Sequence, residues 1–415
     1  MLLLYNILSS VILFFYLPLL LLKKGPEDKS AFIRERLGIS NYAHTDIWVH
    51  AVSVGETIAC MPFLKKLKKD FPGRKITFST TTYTGQKIAK EKFPEADRIM
   101  YIPWDSGLCI SRAIGSIRPK LFITIETEIW PLMISRLKRS GTKIILLNGR
   151  ISPRSFNGYK RASFFMKKVL SDMDHLLMQS KGDAERILSI GADPGKAGVM
   201  GNFKFDLHFG DITAAGWIND INGRIFLAGS THKGEDEIIL DAFITLLDAF
   251  PDLKLVIAPR HPERFNDVEA LINARGLSYI KRSDINSSSH TKLFSVILLD
   301  TVGELPIAFS RSAVTFIGGS LLPYGGHNIL EPAYWSNPII FGPHMENFPF
   351  HRDFLDSSAA ILVMNSSDIV KNVTELLNNP DIAAAMGSRA KAIVDENTGA
   401  VEKAIELVRR YLGAA

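Results

Sequence analysis

The chain has 415 residues, of which 46% are hydrophobic and 22% are charged. This length exceeds one ordinary α/β core and favours two domains, and the composition excludes an intrinsically disordered chain. The two cysteines, Cys60 and Cys109, stand in apolar stretches without the spacing of metal ligands, which indicates buried reduced thiols.

The charge is divided unevenly along the chain. Residues 1–200 contain 31 Lys and Arg against 17 Asp and Glu, whereas residues 201–415 contain 18 against 26. Such a split indicates two halves with different partners. A basic first half is typical of a protein that meets anionic lipid or nucleic acid, and a solvated basic face is the alternative.

The first 22 residues contain no charged side chain. As a helix that rises about 1.5 Å per residue they would extend about 33 Å, enough to cross a hydrocarbon core about 30 Å thick. A signal peptide would begin with a positive region and end at a cleavage site, so residues 1–24 are predicted to be an uncleaved membrane anchor. By the positive-inside rule, Lys23 and Lys24 place the rest of the chain in the cytoplasm. Asn6 and Pro18 interrupt the apolar run, so a helix lying in the membrane plane is the alternative.

The first half reads as short apolar runs that alternate with helical segments after a linker over Pro26–Gly38. Helices are predicted at Gly55–Lys69 and Gly85–Lys92. Strands are predicted at Asp46–Val54, Lys75–Thr80, Ile99–Pro103, Leu121–Ile125, Lys143–Leu147 and His175–Gln179. This alternation predicts a parallel sheet that is covered by helices on both faces.

The same pattern restarts after Asp206. Helices are predicted at Gly234–Phe250, Pro262–Arg275 and from Ser366 to the end, with the last one at Val401–Leu412. Strands are predicted at Arg224–Ala228, Lys254–Ala258, Ser295–Leu299, Ala313–Ile317 and Pro338–Phe341. Two successive doubly wound, Rossmann-like α/β domains, facing each other across a cleft, predict the GT-B architecture of glycosyltransferases.

Acidic and basic side chains follow the predicted strands of the first half, where ligands of an open α/β sheet bind. Glu56 opens a helix and could take a proton from a hydroxyl, although an acid that only favours the helix dipole is the alternative. Glu126 and Glu128 follow the Leu121–Ile125 run and would share one face if that run stays extended, with a capping role as the alternative. Lys204 stands near the crossover between the halves and could neutralise developing negative charge, or be an ordinary surface lysine.

The second half is richer in such clusters. Residues 229–235 (GSTHKGE) open a helix and offer backbone N–H groups to a phosphate. Arg260 follows the next strand and offers a planar fork to a phosphate or a carboxylate. Further polar segments at strand ends or helix starts are Gly303-Glu304-Leu305, Gly318-Gly319-Ser320 and Asn328-Ile329-Leu330-Glu331, the last with an acid placed to hold ribose hydroxyls.

The sequence contains little evidence of a metal-binding or cofactor-binding motif. The triplet Asp172-Met173-Asp174 precedes a predicted strand instead of following one, and the ten histidines include no H-x-x-x-H pair, so neither a metal nor a cofactor is expected. A Walker A motif is missing, and so is a complete G-x-G-x-x-G after the first strand, which counts against an NTPase and a dehydrogenase.

The ordered motifs between Trp48 and Phe348 resemble those of the 3-deoxy-D-manno-octulosonic acid (Kdo) transferase family. They are WVHAVSVGE, TIETEIWP, NGRIS, GNFKFD, GSTHKGE, APRHPER, GEL, FIGGSL, GGHNILEPA and FGPHMENF. The resemblance implies an inverting, metal-free glycosyltransferase of lipopolysaccharide biosynthesis. Such an enzyme moves Kdo from CMP-Kdo to a lipid A precursor at the cytoplasmic face of the inner membrane, which makes an anionic membrane surface a third partner.

The resemblance also implies roles for individual residues. Glu56 would be the general base, and Glu126 and Lys204 would stabilise the transition state. Residues 25–206 would bind the acceptor and residues 207–415 the donor. The donor site would consist of Pro259, Arg260, His261, Gly303, Glu304, Leu305, Asn328, Ile329, Leu330 and Glu331.

Two other functions stay open. One is a different GT-B enzyme that uses a UDP-sugar, either a transferase or an epimerase. The other is a non-enzymatic, membrane-tethered protein that binds a nucleotide sugar. Nucleic-acid binding by the basic half is disfavoured by the predicted anchor.

Overall fold

A computed structural model describes residues 1–22, 26, 28–207, 216–285, 293–348 and 350–413. The chain divides into two compact units: unit 1 comprises residues 1–206 and 397–415, and unit 2 comprises residues 207–396. The boundary after residue 206 is the predicted boundary between the two domains. Lys23 and Lys24, which end the predicted anchor, lie outside the described residues.

Unit 1 is built on one sheet of seven parallel strands in the order β3-β2-β1-β4-β5-β6-β7. The strands are β1 (Ile47–His50), β2 (Ile76–Thr80), β3 (Arg98–Tyr101), β4 (Leu121–Ile125), β5 (Lys143–Gly149), β6 (His175–Met178) and β7 (Ala197–Val199). The helices before and between them are α1 (Leu2–Leu22), α2 (Lys29–Arg36), α3 (Val54–Ala59), α4 (Met61–Asp70), α5 (Tyr83–Lys92), α6 (Gly107–Ile117), α7 (Pro131–Arg139), α8 (Pro153–Arg161), α9 (Ser163–Ser171) and α10 (Lys181–Ile190).

Unit 2 contains a second sheet of seven parallel strands in the order β10-β11-β9-β8-β12-β13-β14. These strands are β8 (Ile225–Thr231), β9 (Lys254–Pro259), β10 (Tyr279–Lys281), β11 (Val296–Leu298), β12 (Ser312–Ile317), β13 (Ile339–Phe341) and β14 (Ala360–Leu362). The later helices are α11 (Gly216–Asn219), α12 (Glu235–Ala249), α13 (Phe265–Ala274), α14 (Leu305–Ala308), α15 (Leu330–Tyr334), α16 (His351–Asp356), α17 (Ser366–Asn378), α18 (Pro380–Asn397) and α19 (Ala400–Leu412).

Both faces of the first sheet are covered, and this explains why its strands read as continuous apolar runs. Successive residues of a strand point to opposite faces. Ile47 and Val49 accordingly belong to the core with α4 and α19, whereas Trp48 belongs to the core with α6 and α7. The predicted doubly wound α/β class is therefore observed in unit 1, and the parallel order of the second sheet repeats it in unit 2.

The structure corrects two local predictions near the beginning of the chain. The predicted linker over Pro26–Gly38 contains α2, which Asp28 caps by accepting a hydrogen bond from the backbone N–H of Ala31. The first strand ends at His50 rather than Val54, because Ser53 caps a helix that begins at Val54.

The N-terminal helix α1 lies against unit 1 through its polar side chains. Asn6 accepts a hydrogen bond of 2.7 Å from the backbone N–H of Gly107, and the Ser9 hydroxyl donates one of 2.6 Å to the Asp105 carbonyl. The Trp104 indole donates to the Ser9 carbonyl at 3.2 Å. Within the described residues, no helix combines the length and hydropathy needed to cross a membrane.

The C-terminal helix α19 packs on unit 1, which corrects the prediction that residues 207–415 form one domain. Its apolar side chains, among them Val401, Ile405 and Val408, join the core formed by β1, β2 and α4. The Asp206 carboxylate accepts hydrogen bonds from the backbone N–H groups of Gly399 at 2.5 Å and Val401 at 2.6 Å. An acid at the end of the first domain thus holds the start of the last helix.

Replacing Asp206 with alanine should weaken the packing of α19 against the rest of unit 1. The change leaves two N–H groups without their charged acceptor, and we expect the free energy of unfolding to fall by roughly 1–3 kcal/mol. Calorimetric unfolding would measure this loss. Asp248→Ala, at an exposed position in the last turn of α12, is the matched control and should change stability by less than about 0.5 kcal/mol. Equal stabilities of the two variants would contradict the proposed role of Asp206.

Candidate active site

Glu56 lies in the first turn of α3 and closes a reciprocal cap with Ser53. The Ser53 hydroxyl accepts from the Glu56 N–H at 3.3 Å, while the two Glu56 carboxylate oxygens accept from the Val52 N–H at 2.7 Å and from the Ser53 hydroxyl at 3.0 Å. Each oxygen keeps a further lone pair. The half-buried carboxylate is therefore fixed in place and still able to accept a proton.

Glu126 stands at the carboxyl end of β4 in a left-handed conformation, with φ of +60°. The strand ends at Ile125, so the extended run that would have put Glu126 and Glu128 on one face does not exist. Both side chains are nevertheless half-buried near Glu56 and interact with it electrostatically. The turn, rather than the strand, brings three carboxyl groups together.

These carboxyl groups hold their protons more tightly than ordinary glutamates do. Burial raises the pKa of Glu56, against the hydrogen bonds that it accepts from Val52 and Ser53. Burial and the negative charge of Glu56 raise the pKa of Glu126, while Lys204 and Arg150 oppose that rise. Burial, Glu56 and Glu126 raise the pKa of Glu128 to about 7. Clustered carboxyl groups with perturbed pKa values are typical of sites that move protons.

A chain of amide side chains positions the segment that carries Lys204. The Asn148 side-chain oxygen accepts from the Phe203 N–H at 3.1 Å, and Gln179 donates to the Asn148 carbonyl at 3.1 Å. Asn202 donates to Gln179 at 2.9 Å and accepts from the Lys204 N–H at 3.0 Å. The sequence motifs NGR and GNFKFD contain two of these amides, but only their side-chain contacts reveal the network.

In unit 2, the segments after β9 and after β11 meet around a cavity of about 100 Å³. Its walls include Ser230, Pro259, Arg260, Phe265, Thr301, Gly303 and Leu305. The structure therefore brings together four of the predicted donor-site residues. The exposed Arg260 guanidinium has no hydrogen bond or ion pair within the described residues, whereas neighbouring Arg264 is paired with the buried Asp236. Arg260 is thus available for an anion.

The other predicted donor-site residues differ in whether their side chains are free to contact a ligand. Glu304 pairs with Arg282 at 2.8 Å and accepts from the Thr301 hydroxyl, so its carboxylate is already used within the protein. The side chains of Ile329 and Leu330 are buried in the interior, with exposures of 0% and 1%. Ile329 and Leu330 can therefore contact the donor only through their backbone groups, because their side chains pack inward where α15 begins. Glu304 stays a predicted donor contact.

Glu331 and Asn328 form a pair beside Arg260. The Asn328 amide donates to Glu331 at 3.0 Å. Burial raises the pKa of Glu331, whereas the hydrogen bond from Asn328 and the charge of Arg260 lower it. The two side chains interact electrostatically, and no ion pair joins them within the described residues. His261, which follows Arg260, is exposed, and its Nδ1 lies 3.9 Å from the Glu263 carboxylate.

The loop Gly318-Gly319-Ser320 does not offer free N–H groups to a phosphate, because a glutamate occupies them. The fully buried Glu235 carboxylate accepts hydrogen bonds from Gly319 at 2.6 Å, and from Ser320 and Leu321 at 2.9 Å. It also accepts from the backbone N–H of His232 at 2.9 Å. Within residues 229–235, the N–H groups of His232 and Gly234 are bound to Glu235 and Glu237 and are not free for the predicted phosphate. The Glu235 carboxylate instead joins the loops after β8 and β12.

Gly318 permits the close approach of those two loops. A Cβ atom at this position would lie 2.2 Å from the carbonyl oxygen of Ser230, a distance that side chains do not adopt. Within the described ranges of the chain, no group of three or more His, Cys, Asp or Glu side chains is arranged to hold a metal ion.

Replacing Glu235 with glutamine should destabilise unit 2. A glutamine offers one carbonyl oxygen to four N–H groups and points its own N–H₂ group at some of them, so we expect a loss of roughly 1.5–3 kcal/mol. Denaturant titration would measure this loss. Glu237→Gln is the control, since in the part of the chain that the structure describes Glu237 accepts one hydrogen bond, from the Gly234 N–H at 3.1 Å, and its replacement should cost about 1 kcal/mol or less. A Glu235→Gln protein as stable as the control would refute the anchoring role.

Known proteins match most of this chain in sequence. The family model described as 3-Deoxy-D-manno-octulosonic-acid transferase (kdotransferase) matches residues 31–207. The 3-deoxy-D-manno-octulosonic acid transferase of Haemophilus influenzae is 35% identical over 373 residues, which cover 88% of this chain and 87% of that protein.

Solved structures of low sequence identity share the fold. A glycosyltransferase from Rickettsia africae is 14% identical with a TM-score of 0.54 and covers 90% of this chain and all of its own. UDP-GlcNAc 2-epimerase from Neisseria meningitidis is also 14% identical, with a TM-score of 0.58, and covers 88% of this chain and all of its own. These likenesses indicate the GT-B glycosyltransferase fold. The chain belongs to the 3-deoxy-D-manno-octulosonic acid transferase family and is a glycosyltransferase.

Proposed function

We propose that this protein transfers Kdo from CMP-Kdo to a lipid A precursor in lipopolysaccharide biosynthesis. The observation that carries the donor assignment is the cavity between the segments after β9 and β11, with the unpaired Arg260 guanidinium on its wall. A cavity of about 100 Å³ suits one flat ring better than a whole nucleotide. The base would enter it, and the phosphate would lie outside against Arg260.

The ribose would occupy the space between the base and the phosphate. Glu331 is electrostatically coupled to Arg260 and oriented by Asn328, and a carboxylate so placed can accept hydrogen bonds from ribose hydroxyls. CMP-Kdo carries a single phosphate. One guanidinium and neutral donors can therefore balance its charge during departure.

The chemistry of transfer would start at Glu56. Its carboxylate takes the proton of an acceptor hydroxyl, whose oxygen forms a bond to the anomeric carbon of Kdo while the bond from that carbon to the phosphate oxygen breaks. CMP leaves with the bonding electron pair, and the configuration is inverted. Lys204, which interacts with Glu126, supplies positive charge beside the reacting groups.

Replacing Glu56 with glutamine should abolish transfer and leave donor binding intact. A general base contributes about 100-fold to 10,000-fold, so the rate of Kdo transfer to a lipid A precursor should fall at least 100-fold. Mass spectrometry of the lipid product would measure the rate, and calorimetric titration with CMP would measure binding.

Glu91→Gln is the control for that experiment, because Glu91 is an exposed acid on α5 whose one ion pair among the described residues is with Lys92. It should leave transfer and CMP binding unchanged. Transfer by Glu56→Gln near the wild-type rate would remove Glu56 from the mechanism. Tighter binding of UMP than of CMP would favour the UDP-sugar alternative, and CMP binding without transfer by the wild type would favour a non-enzymatic sugar-binding protein.

We also propose that α1 attaches unit 1 to the cytoplasmic face of the inner membrane. While Asn6 and Ser9 contact unit 1, the apolar side chains of α1 are turned outward, with exposures of 74% for Phe14 and 71% for Phe15. A groove between α1 and α9 combines apolar walls with Lys167 and Lys168. An apolar helix face flanked by lysines is typical of binding to anionic lipid surfaces.

Charged substitutions on this face should weaken attachment to membranes. The double change Phe14→Asp and Phe15→Asp removes apolar contacts and adds negative charge, so sedimentation with vesicles that contain anionic phosphatidylglycerol should fall at least tenfold. Ile382→Asp, at an apolar position 46% exposed on α18 of unit 2, is the control and should sediment as the wild type does. Unchanged sedimentation of the double variant would exclude α1 as the attachment site.

A further inference from the structure

Two histidines of unit 2 form a direct hydrogen bond between their rings. His232 belongs to the loop between β8 and α12, and His327 to the loop between β12 and α15. Their Nε2 atoms are 2.7 Å apart, their ring planes differ by 5°, and their ring centres are 5.0 Å apart. The distance between the ring centres equals the Nε2–Nε2 distance plus the radius of each ring, which is the largest value that it can take. The two rings therefore lie in one plane, with their Nε2 atoms directed at each other.

The hydrogen bond restricts the protons that this pair can carry. A bond between two Nε2 atoms needs one N–H donor and one lone pair as acceptor. The pair is therefore neutral, or it carries a single positive charge when one ring is an imidazolium. A second charge would put two N–H groups head to head and break the bond.

Packing holds both rings in this geometry. Tyr324 stacks on His232 with ring centres 4.2 Å apart, and His261 meets it edge-on at 5.3 Å. Gly319 lies against both imidazoles, since a Cβ atom there would be 3.0 Å from His327 and 3.4 Å from His232. The Glu235 carboxylate binds the backbone N–H groups of Gly319 and His232 and so fixes the two loops to each other.

The surroundings keep the pair neutral when no ligand is bound. Burial, His261, Arg264 and Arg260 lower the pKa of His232, and burial, Arg260, His232 and His261 lower the pKa of His327 to about 4. The charged and titratable groups around the pair are Lys233, Glu235, Asp236, Arg260, His261, Glu263, Arg264, Tyr324 and Glu331. Asp236 pairs with Arg264, whereas Arg260 forms no ion pair within the described residues, so an incoming anion can cancel its charge.

We propose that the His232–His327 pair is a proton-linked part of the donor site, which takes up one proton from solvent when an anion of the donor binds beside Arg260. The proposal rests on the donor assignment made above. The anion cancels the charge of Arg260, and its own negative charge favours the imidazolium. The resulting positive pair then adds a second cation to the site, at the stage when the phosphate must leave with an extra negative charge.

The sign of the pH dependence follows from this linkage. A pair whose pKa is higher in the complex than in the free protein binds the anion more tightly at low pH. Affinity should therefore fall as pH rises from the free value through the value in the complex, by up to about tenfold per pH unit for one proton. Above the pKa of the complex the affinity should become constant.

Calorimetric titration with the methyl ester of CMP tests the proposal. This ester has one phosphate charge that stays constant from about pH 6 to about pH 8.5, because it lacks the second ionisation of a monoester. Titrations in two buffers of different ionisation heat give the number of protons taken up, which should approach one at the acidic end for the wild type. His327→Gln and His232→Gln should lose the uptake and bind the ester with little pH dependence, while His351→Gln, a half-buried histidine of α16, should retain it.

The outcomes are distinct. Proton uptake on binding of the ester would identify the phosphate as the anion that is linked to the histidine pair. Proton uptake only on binding of intact CMP-Kdo would identify the sugar carboxylate instead. Binding of both ligands without proton uptake, or unchanged uptake in His327→Gln, overturns the proposal and leaves the donor assignment intact. Failure of the wild type to bind either ligand overturns the donor assignment and this inference with it.

A measurement on the unmodified protein guards against variants that fail to fold. In ¹⁵N spectra of the ligand-free wild type, a coupling across the Nε2–H···Nε2 bond should be present, and both rings should titrate below the ordinary histidine pKa, because burial and the neighbouring cations oppose a charge there. Two rings that titrate independently near the ordinary histidine pKa would also overturn the proposal.

Discussion

A buried carboxylate organises unit 2. Glu235 is fully enclosed and accepts hydrogen bonds from four backbone N–H groups, three of them in the loop after β12 and more than 80 residues away in sequence. An unpaired buried charge is costly, whereas one that several donors satisfy is retained and holds its partners in place. The two loops that carry His232 and His327 are therefore fixed to each other by an anion that belongs to the protein.

Unit 1 uses carboxyl groups in the opposite way. Glu56, Glu126 and Glu128 are half-buried, and burial raises the pKa of each. The charge of Glu56 also raises the pKa values of Glu126 and Glu128, and Lys204 and Arg150 only partly compensate at Glu126. Such a cluster is unfavourable for stability because like charges repel, but it raises the pKa of Glu128 to about 7, so this carboxyl group exchanges its proton near neutral pH. The left-handed conformation of Glu126 adds local strain of the kind found at functional sites.

Hydrophobic patterning predicted the two sheets well, because the strands of a buried parallel sheet are apolar on both faces. The strand predicted at Arg224–Ala228 is β8, and the polar segments after β9 and β11 meet where strand-end reasoning expects them. Patterning could not predict that Glu235 fills the loop after β12, or that the Ile329 side chain points inward. Both depend on contacts between distant segments, and residue order alone does not specify them.

The return of α19 to unit 1 has a consequence for how the chain is made. In the sequence, unit 2 lies between the two segments of unit 1. A ribosome therefore completes all of unit 2 before it releases α19, the last helix of the unit 1 core. Domains generally fold as they emerge. One face of the N-terminal sheet must therefore stay partly uncovered until Val401, Ile405 and Val408 arrive, and the unit synthesised later is the one that can finish folding first.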